Sequence, residues 1–145
     1  MDILVENRQQ DLALNLDSVV EVASAALSVE APKADEMTIY FVTEEEICQL
    51  HGDYFDDPTP TDCITFPIGG EGEWTLLGDL FVCPKTAINY VEGGDPYPEV
   101  TLYVVHGILH LLGYDDIDED DRAEMRAQEK IYMDLLAQRG LVVYP

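Results

Sequence analysis

Positive charge is the scarcest feature of this sequence. Seven Lys and Arg stand against thirty Asp and Glu in 145 residues, leaving a formal net charge of −23. Counterion release by cationic side chains supplies most of the affinity in nucleic-acid binding, so the composition argues against tight, unaided binding of a polyanion. The same surface favours solubility and suits a basic partner. Adaptation to high salt would produce the same bias. Long apolar runs are missing as well: nothing approaches the roughly 18 residues of a membrane span, and no membrane association is expected. Cysteine is limited to Cys48, Cys63 and Cys83. They are odd in number, widely spaced and without a C-x-x-C pair, which fits a reduced, cytoplasmic setting. The opening residues Met1 to Glu6 carry no basic stretch of a secretory signal and read as a strand. No repeat, low-complexity tract or linker divides residues 1–145, which are long enough to bury a core and read as one domain.

Histidine is rare too. His51, His106 and His110 are all there are, and two of them fall within His106-Gly107-Ile108-Leu109-His110-Leu111-Leu112-Gly113-Tyr114-Asp115-Asp116. Residues four apart on a helix lie one turn above each other, so these two imidazoles can meet one metal ion without distorting the backbone. Burying them among Val104, Val105, Ile108, Leu109, Leu111 and Leu112 is costly unless something satisfies their nitrogens, which favours a zinc-ligand role over a structural one. Gly113 reaches φ > 0 freely and stops the helix, so that the returning chain can deliver a carboxylate. Asp115 and Asp116 both stand in that place. The spacing is similar to the long zincin pattern, but Gly107 occupies the position where H-E-x-x-H proteases carry their general base. Peptide hydrolysis by that route is not expected.

The rest of the chain reads as alternating strands and helices. Residues 2–6 suit a short edge strand. Ser18 and Glu21 form a capping-box pattern ahead of an apolar stripe, predicting a helix over about 18–30 that closes before Pro32. Met37 to Val42 is a β-branched, apolar strand, and Thr43-Glu44-Glu45-Glu46 opens a second, short helix that Gly52 is expected to end. Thr61 to Pro67 and Leu76 to Cys83 read as strands joined by a polar, flexible Gly69–Gly72 loop. Pro84 fits the first turn of a helix over roughly 85–92, and Pro98 opens the motif helix, about 98–112. The last helix begins near Asp118, with Glu119, Asp120 and Asp121 crowded where the helix dipole favours them, and Gly140 ends it. These elements imply an α+β fold: a single small mixed β-sheet of about four strands flanked by about five helices, with the metal site on the penultimate helix and the loop after it.

The motif helix resembles the YbeY family, bacterial metal-dependent endoribonucleases implicated in ribosomal RNA maturation. The family signature H-G-x-L-H-L-x-G-Y-D-H matches His106 to Asp116 except at the last residue. The family's T-D-V-L-S-F-P strand is similar to Thr61-Asp62-Cys63-Ile64-Thr65-Phe66-Pro67, and its L-G-D strand to Leu77-Gly78-Asp79. The resemblance implies one zinc ion per chain on His106, His110 and Asp116. Asp116 replaces the family's third histidine; a carboxylate is a legitimate zinc ligand, but it lowers the charge of the site by one and makes the ion a weaker Lewis acid. Tyr54-Phe55 stands where the family has Tyr-Arg, an arginine associated with RNA contact.

Other candidates are less specific. Asp62 and Asp79, near strand ends, are placed to face a metal groove and orient a water or a ligand's second nitrogen, although Asp more commonly satisfies local backbone groups. Lys85, Arg122 and Arg126 are the basic residues nearest the motif. Arg122 and Arg126 share a helix face, and pairing with Glu119 and Glu129 is favoured over holding a phosphate. Asp115 or a neighbouring carboxylate is the candidate general base. The leading expectation is a zinc-dependent endoribonuclease acting in ribosomal RNA maturation and ribosome quality control. Its rival is a non-catalytic, zinc-containing ribosome-assembly factor that docks a basic ribosomal protein. A catalytic zinc keeps an open position, whereas a structural one is closed by a fourth ligand, for which Asp115 or a cysteine is available.

The charge balance yields a prediction. Bare RNA should bind weakly, with a shallower salt dependence than a basic nuclease shows, whereas a basic ribosomal protein should bind more tightly and lose affinity steeply as salt screens exposed charge beyond about 10 Å at about 0.1 M. Titration of both ligands across a salt series checks this. Tight, steeply salt-sensitive binding of bare RNA would overturn it.

Overall fold

The computed structural model describes residues 1–69 and 72–145. Its elements follow in the order β1 (Asp2–Asn7), α1 (Leu16–Leu27), β2 (Glu36–Phe41), α2 (Glu44–Phe55), β3 (Cys63–Gly69), β4 (Leu76–Val82), α3 (Pro84–Val91), α4 (Tyr97–Leu111) and α5 (Glu119–Gln138). The strands form one sheet in the order β1-β2-β4-β3. β1, β2 and β4 run parallel, and β3 is antiparallel to β4. This is the mixed, helix-flanked α+β arrangement expected, with the histidine pair on the penultimate helix. Pro67 lies on β3, an edge strand, where a missing ladder donor is tolerated. No helix among the described residues is long and apolar enough to cross a membrane.

Period-two alternation sorts the strand residues between two faces. Met37, Ile39 and Phe41 of β2 join Leu80 and Val82 of β4 in the main core, which also takes in Val104, Ile108 and Leu111 of α4 and Val19, Val22 and Ala26 of α1. On the other face, Tyr40 and Phe81 stack with ring centroids 4.6 Å apart and join Ile64 and Phe66 under Ile47 and Leu50 of α2. α5 packs on α4 through Met125, Tyr132 and Leu136.

Several element ends differ from the sequence expectation. Asn15, not Ser18, caps α1: its side chain accepts the Ser18 amide at 3.2 Å, and the Ser18 hydroxyl donates back to the Asn15 carbonyl at 2.6 Å. Asn caps at least as well as Ser, so the helix starts and finishes earlier than its apolar stripe suggests. α2 runs through Gly52 to Phe55, because one interior glycine costs only about 1 kcal/mol; Asp56, at φ 56°, closes it instead. Of the polar loop expected between β3 and β4, Gly69 ends β3, while Gly70 and Glu71 lie outside the described residues.

The depth at which α4 sits on the sheet depends on two glycines. A Cβ on Gly107 would run into the Leu80 side chain of β4, which is fully buried. A Cβ on Gly78 would meet Leu111 Cδ2 and the Phe66 carbonyl oxygen, each at 2.6 Å. Next to Gly78, β4 carries an extra residue: Glu36 pairs with Leu76 and Met37 with Gly78, leaving Leu77 unpaired as a bulge. Helix and strand therefore lie closer than side chains would normally allow. Gly107→Ala should destabilise the fold by about 1–3 kcal/mol, as overpacking does, despite its better helix propensity. The cost should shrink in a Leu80→Ala background, read as a double-mutant cycle by urea unfolding. An equal cost in both backgrounds would show that the Gly107–Leu80 approach is not the constraint.

Candidate metal centre

α4 ends in a motif that aims the following loop back toward the histidines. The Tyr114 amide donates to the Leu109 carbonyl and the Gly113 amide to the His110 carbonyl, each at 3.0 Å, with Gly113 at φ 103°. This is the paired closure of a Schellman C-cap, and Tyr114 packs against the core beside it. The loop is pinned again on its far side. The Asp118 carboxylate accepts the Asp121 amide at 2.8 Å to cap α5, and Arg122 donates to the Ile117 carbonyl at 3.0 Å. Between these two anchors stands Asp116.

The result is a compact set of three ligand atoms. His106 Nε2 and His110 Nε2 are 3.0 Å apart, and Asp116 Oδ2 lies 3.5 Å from the first and 3.6 Å from the second. Bonds of about 2.0–2.2 Å would set tetrahedral zinc ligands about 3.3–3.6 Å apart, so the triangle fits an ion of that size with little adjustment. The imidazoles are 19% and 21% exposed and the Asp116 carboxylate 45%. The ligand atoms thus face solvent on one side.

Glu129 completes the arrangement from α5. Its Oε1 lies 2.6 Å from His106 Nδ1, so Nδ1–H donates to the carboxylate and Nε2 presents its lone pair to the triangle. The triad borders two cavities. A larger one, of about 540 Å³, runs toward α3 and α5 and is walled by Tyr90, Tyr103, Arg122, Arg126 and Glu129 among others. A smaller one, of about 330 Å³, runs toward α2 and is bordered by His51 and Phe55. Asp62 borders both. It also satisfies the backbone as expected, accepting the Cys63 amide at 2.7 Å, and its position is held where the Cys83 amide donates to the Asp62 carbonyl and the Thr86 hydroxyl to that of Thr61.

Other sequence candidates lie elsewhere. Asp115 borders a separate cavity with Glu30, Tyr114, Asp121 and Glu124, so the structure does not bring it to the histidines, either as third ligand or as base. Asp79 alternates with Gly78 and Leu80, which face α4, and so falls on the opposite face of the sheet beside Phe66; desolvation raises its pKa there. Lys85 borders neither cavity of the triad. The expected pairing of Arg122 and Arg126 with Glu119 and Glu129 is not formed among the described residues: Glu129 is taken by His106, and Arg122 bonds the Ile117 carbonyl. Cys63 borders the smaller cavity, but desolvation, reinforced by Asp62, pushes its thiol well above the ordinary range, which disfavours the thiolate a metal needs. All three cysteines are free. Two further residues stand at the site in places that the sequence did not assign them. Glu129 had a signal, since it shares a face of α5 with the buried Met125. His51 had none beyond its residue type; its Nδ1 lies 2.8 Å from the Thr59 carbonyl, which leaves Nε2 uncommitted.

Fold and site together define a class: an α+β protein whose penultimate helix and following loop assemble a His-His-carboxylate centre open on one side. The family model for Endoribonuclease YbeY matches residues 4–137, and the chain belongs to that family. It is 43% identical to the endoribonuclease YbeY of Protochlamydia amoebophila, over 97% of each chain. It is 36% identical to that of Chlamydia trachomatis serovar D, over 99% of this chain and 92% of the relative. A solution structure of a protein from Thermotoga maritima shares the fold, with a TM-score of 0.60 at 22% identity over 94% of this chain and 90% of the other.

The Glu129–His106 contact leads to a prediction. Glu129→Gln should weaken metal binding by about 10-fold and Glu129→Ala by up to about 100-fold, as loss of such outer carboxylates generally does. Competition with a chromogenic chelator measures it. Unchanged affinity in both variants would mean that His106 is oriented by something other than Glu129.

Proposed function

We propose that this chain is a zinc-dependent endoribonuclease that acts in ribosomal RNA maturation and ribosome quality control in the cytoplasm, with one zinc ion per chain on His106, His110 and Asp116. The convergence of three ligand atoms within 4.8 Å of one another, beside open cavities, carries the reading. A bound zinc supplies Lewis acidity toward a phosphoryl oxygen or a water. The protein's own groups do the rest. His106 is held in one tautomer by Glu129, and His110 is set by the helix one turn on. Asp116 neutralises one unit of positive charge, which softens the Lewis acid relative to three imidazoles.

Asp62 is the carboxylate available to the reacting water. One oxygen is fixed by the Cys63 amide, and the other, which has no hydrogen bond among the described residues, is placed to accept a proton as the water attacks phosphorus. That assignment replaces Asp115, which borders a different cavity. Gly107 lies against Leu80 in the core, so this helix position cannot carry the base that metalloproteases place there. The rival reading, a purely structural zinc, needs a fourth protein ligand. Among the described residues the ligand group contains only His106, His110 and Asp116. The acidic surface is proposed to dock a basic ribosomal protein, bringing the enzyme to an RNA that its charge would otherwise repel.

Purified protein should hold about one zinc per chain by elemental analysis and should cleave RNA until chelated. His106→Ala and His110→Ala should lose the metal. Asp116→Ala should bind it at least about 10-fold more weakly, and Asp115→Ala should retain it. Retention by both histidine variants, or loss in Asp115→Ala alone, would refute the ligand set.

A further inference from the structure

We infer that Arg122 and Arg126 form a phosphate subsite, taking a phosphodiester of the RNA strand next to the one at the metal triad. This rests on the endoribonuclease reading and adds to it the residues that hold the substrate.

The chain has only seven cationic side chains among thirty acidic ones, so the placement of each is informative. Arg8 is committed to Glu6 and Glu46 and Lys130 to Asp134. Arg122 and Arg126 are the two that border the larger cavity beside His106 and Asp116. They stand four apart on α5, one turn above each other on one face. Among the described residues neither forms an ion pair, although carboxylates are abundant.

Three of the four carboxylates on this cavity wall are occupied in other ways, and none pairs with an arginine among the described residues. Asp62 accepts the Cys63 amide, Glu129 holds His106 and Asp116 belongs to the triad, while Glu99, also on the cavity wall, forms no ion pair among the described residues. Arg126 is therefore left for an external anion, and Arg122, which spends one donor on the Ile117 carbonyl, keeps the rest of its fork for it. Their planar forks match the paired oxygens of a phosphodiester better than a point charge does. Tyr90 of α3, 71% exposed, borders the same cavity and offers an aromatic face on which a base can stack. The cavity, about 540 Å³, falls within the range of small-ligand sites, room for a nucleotide unit beside the triad.

Arg122 also bonds the Ile117 carbonyl next to Asp116, so replacing it risks disturbing the ligand loop. Arg126 has no such tie among the described residues, and Arg126→Gln is the deciding variant. Binding of a short, fluorescein-labelled single-stranded RNA is followed by anisotropy across a salt series, with the protein as purified and again after chelation, where cleavage does not compete. Arg126→Gln should weaken binding about three- to tenfold, and the slope of log affinity against log salt should fall by about 0.7, the contribution of one phosphate contact to a single strand. Arg126→Lys should recover most of the slope, and the double variant with Arg122→Gln should lose about twice as much. In cleavage assays KM should rise while kcat stays near the parent value. Unchanged affinity and slope in Arg126→Gln, or weaker binding with the slope retained, would overturn the subsite. Binding that depends on Arg126 in a protein that cleaves no RNA would uphold the subsite and sink the endoribonuclease reading.

Discussion

The close approach of α4 to β4 is the constraint from which the site follows. Gly107 lets the helix settle onto Leu80, and Gly78 lets the strand accept Leu111. With residues 107 and 111 fixed against the sheet, the residues one position earlier, His106 and His110, are rotated by about 100° and emerge at the edge of the interface. There they are about four-fifths enclosed yet still reach a cavity. A larger side chain at 107 would lift the helix and move both imidazoles together. The glycine that removes a protease-type base from this helix is thus the residue that seats its histidine pair.

Electrostatics then decides what each polar group near the triad can do. His106 is fixed through Nδ1 by Glu129, so its Nε2 is committed to the triangle. Desolvation raises the Cys63 thiol well above its ordinary range, which disfavours a thiolate there. Asp116 lies at the end of a loop pinned on one side by the Schellman closure and on the other by the cap of α5. A carboxylate ligand, rather than a third imidazole, costs the centre one unit of positive charge. In a chain of net charge −23, that leaves Arg122 and Arg126 as the cationic side chains of the larger cavity.

Composition alone suggests a protein that should avoid nucleic acid, yet family membership implies an RNA substrate. With the proposed arginine subsite, the conflict is resolved by position. Charge repulsion over the whole surface is long-ranged and screened by salt, whereas two guanidinium groups at a cavity wall act at contact distance. Net charge governs encounter, and local charge governs what is held once encounter has occurred.

The sequence by itself determined the features that depend on one or two turns of backbone. His106 and His110 four apart, Gly113 at C′, Asp118 at the cap of α5, and period-two strands at β2 and β4 each follow from helical or pleated repeat. Helix ends were less legible, because Asn15 and Ser18 are equivalent as caps and Gly52 only weakly disfavours helix. Tertiary structure decided everything that depends on which elements touch. The sequence offers Asp115 and Asp116 as equals, but the twist of one short loop sends them to different cavities. Asp62 and Asp79 looked alike at strand ends, but Asp62, just ahead of β3, borders the cavities of the triad, whereas Asp79 pairs with Phe66 on the face of the sheet away from α4. Glu129 is 23 residues from His106 and reaches it only because α5 packs on α4. Local spacing is fixed by backbone geometry within a few residues, whereas partners distant along the chain are chosen by which buried faces must meet.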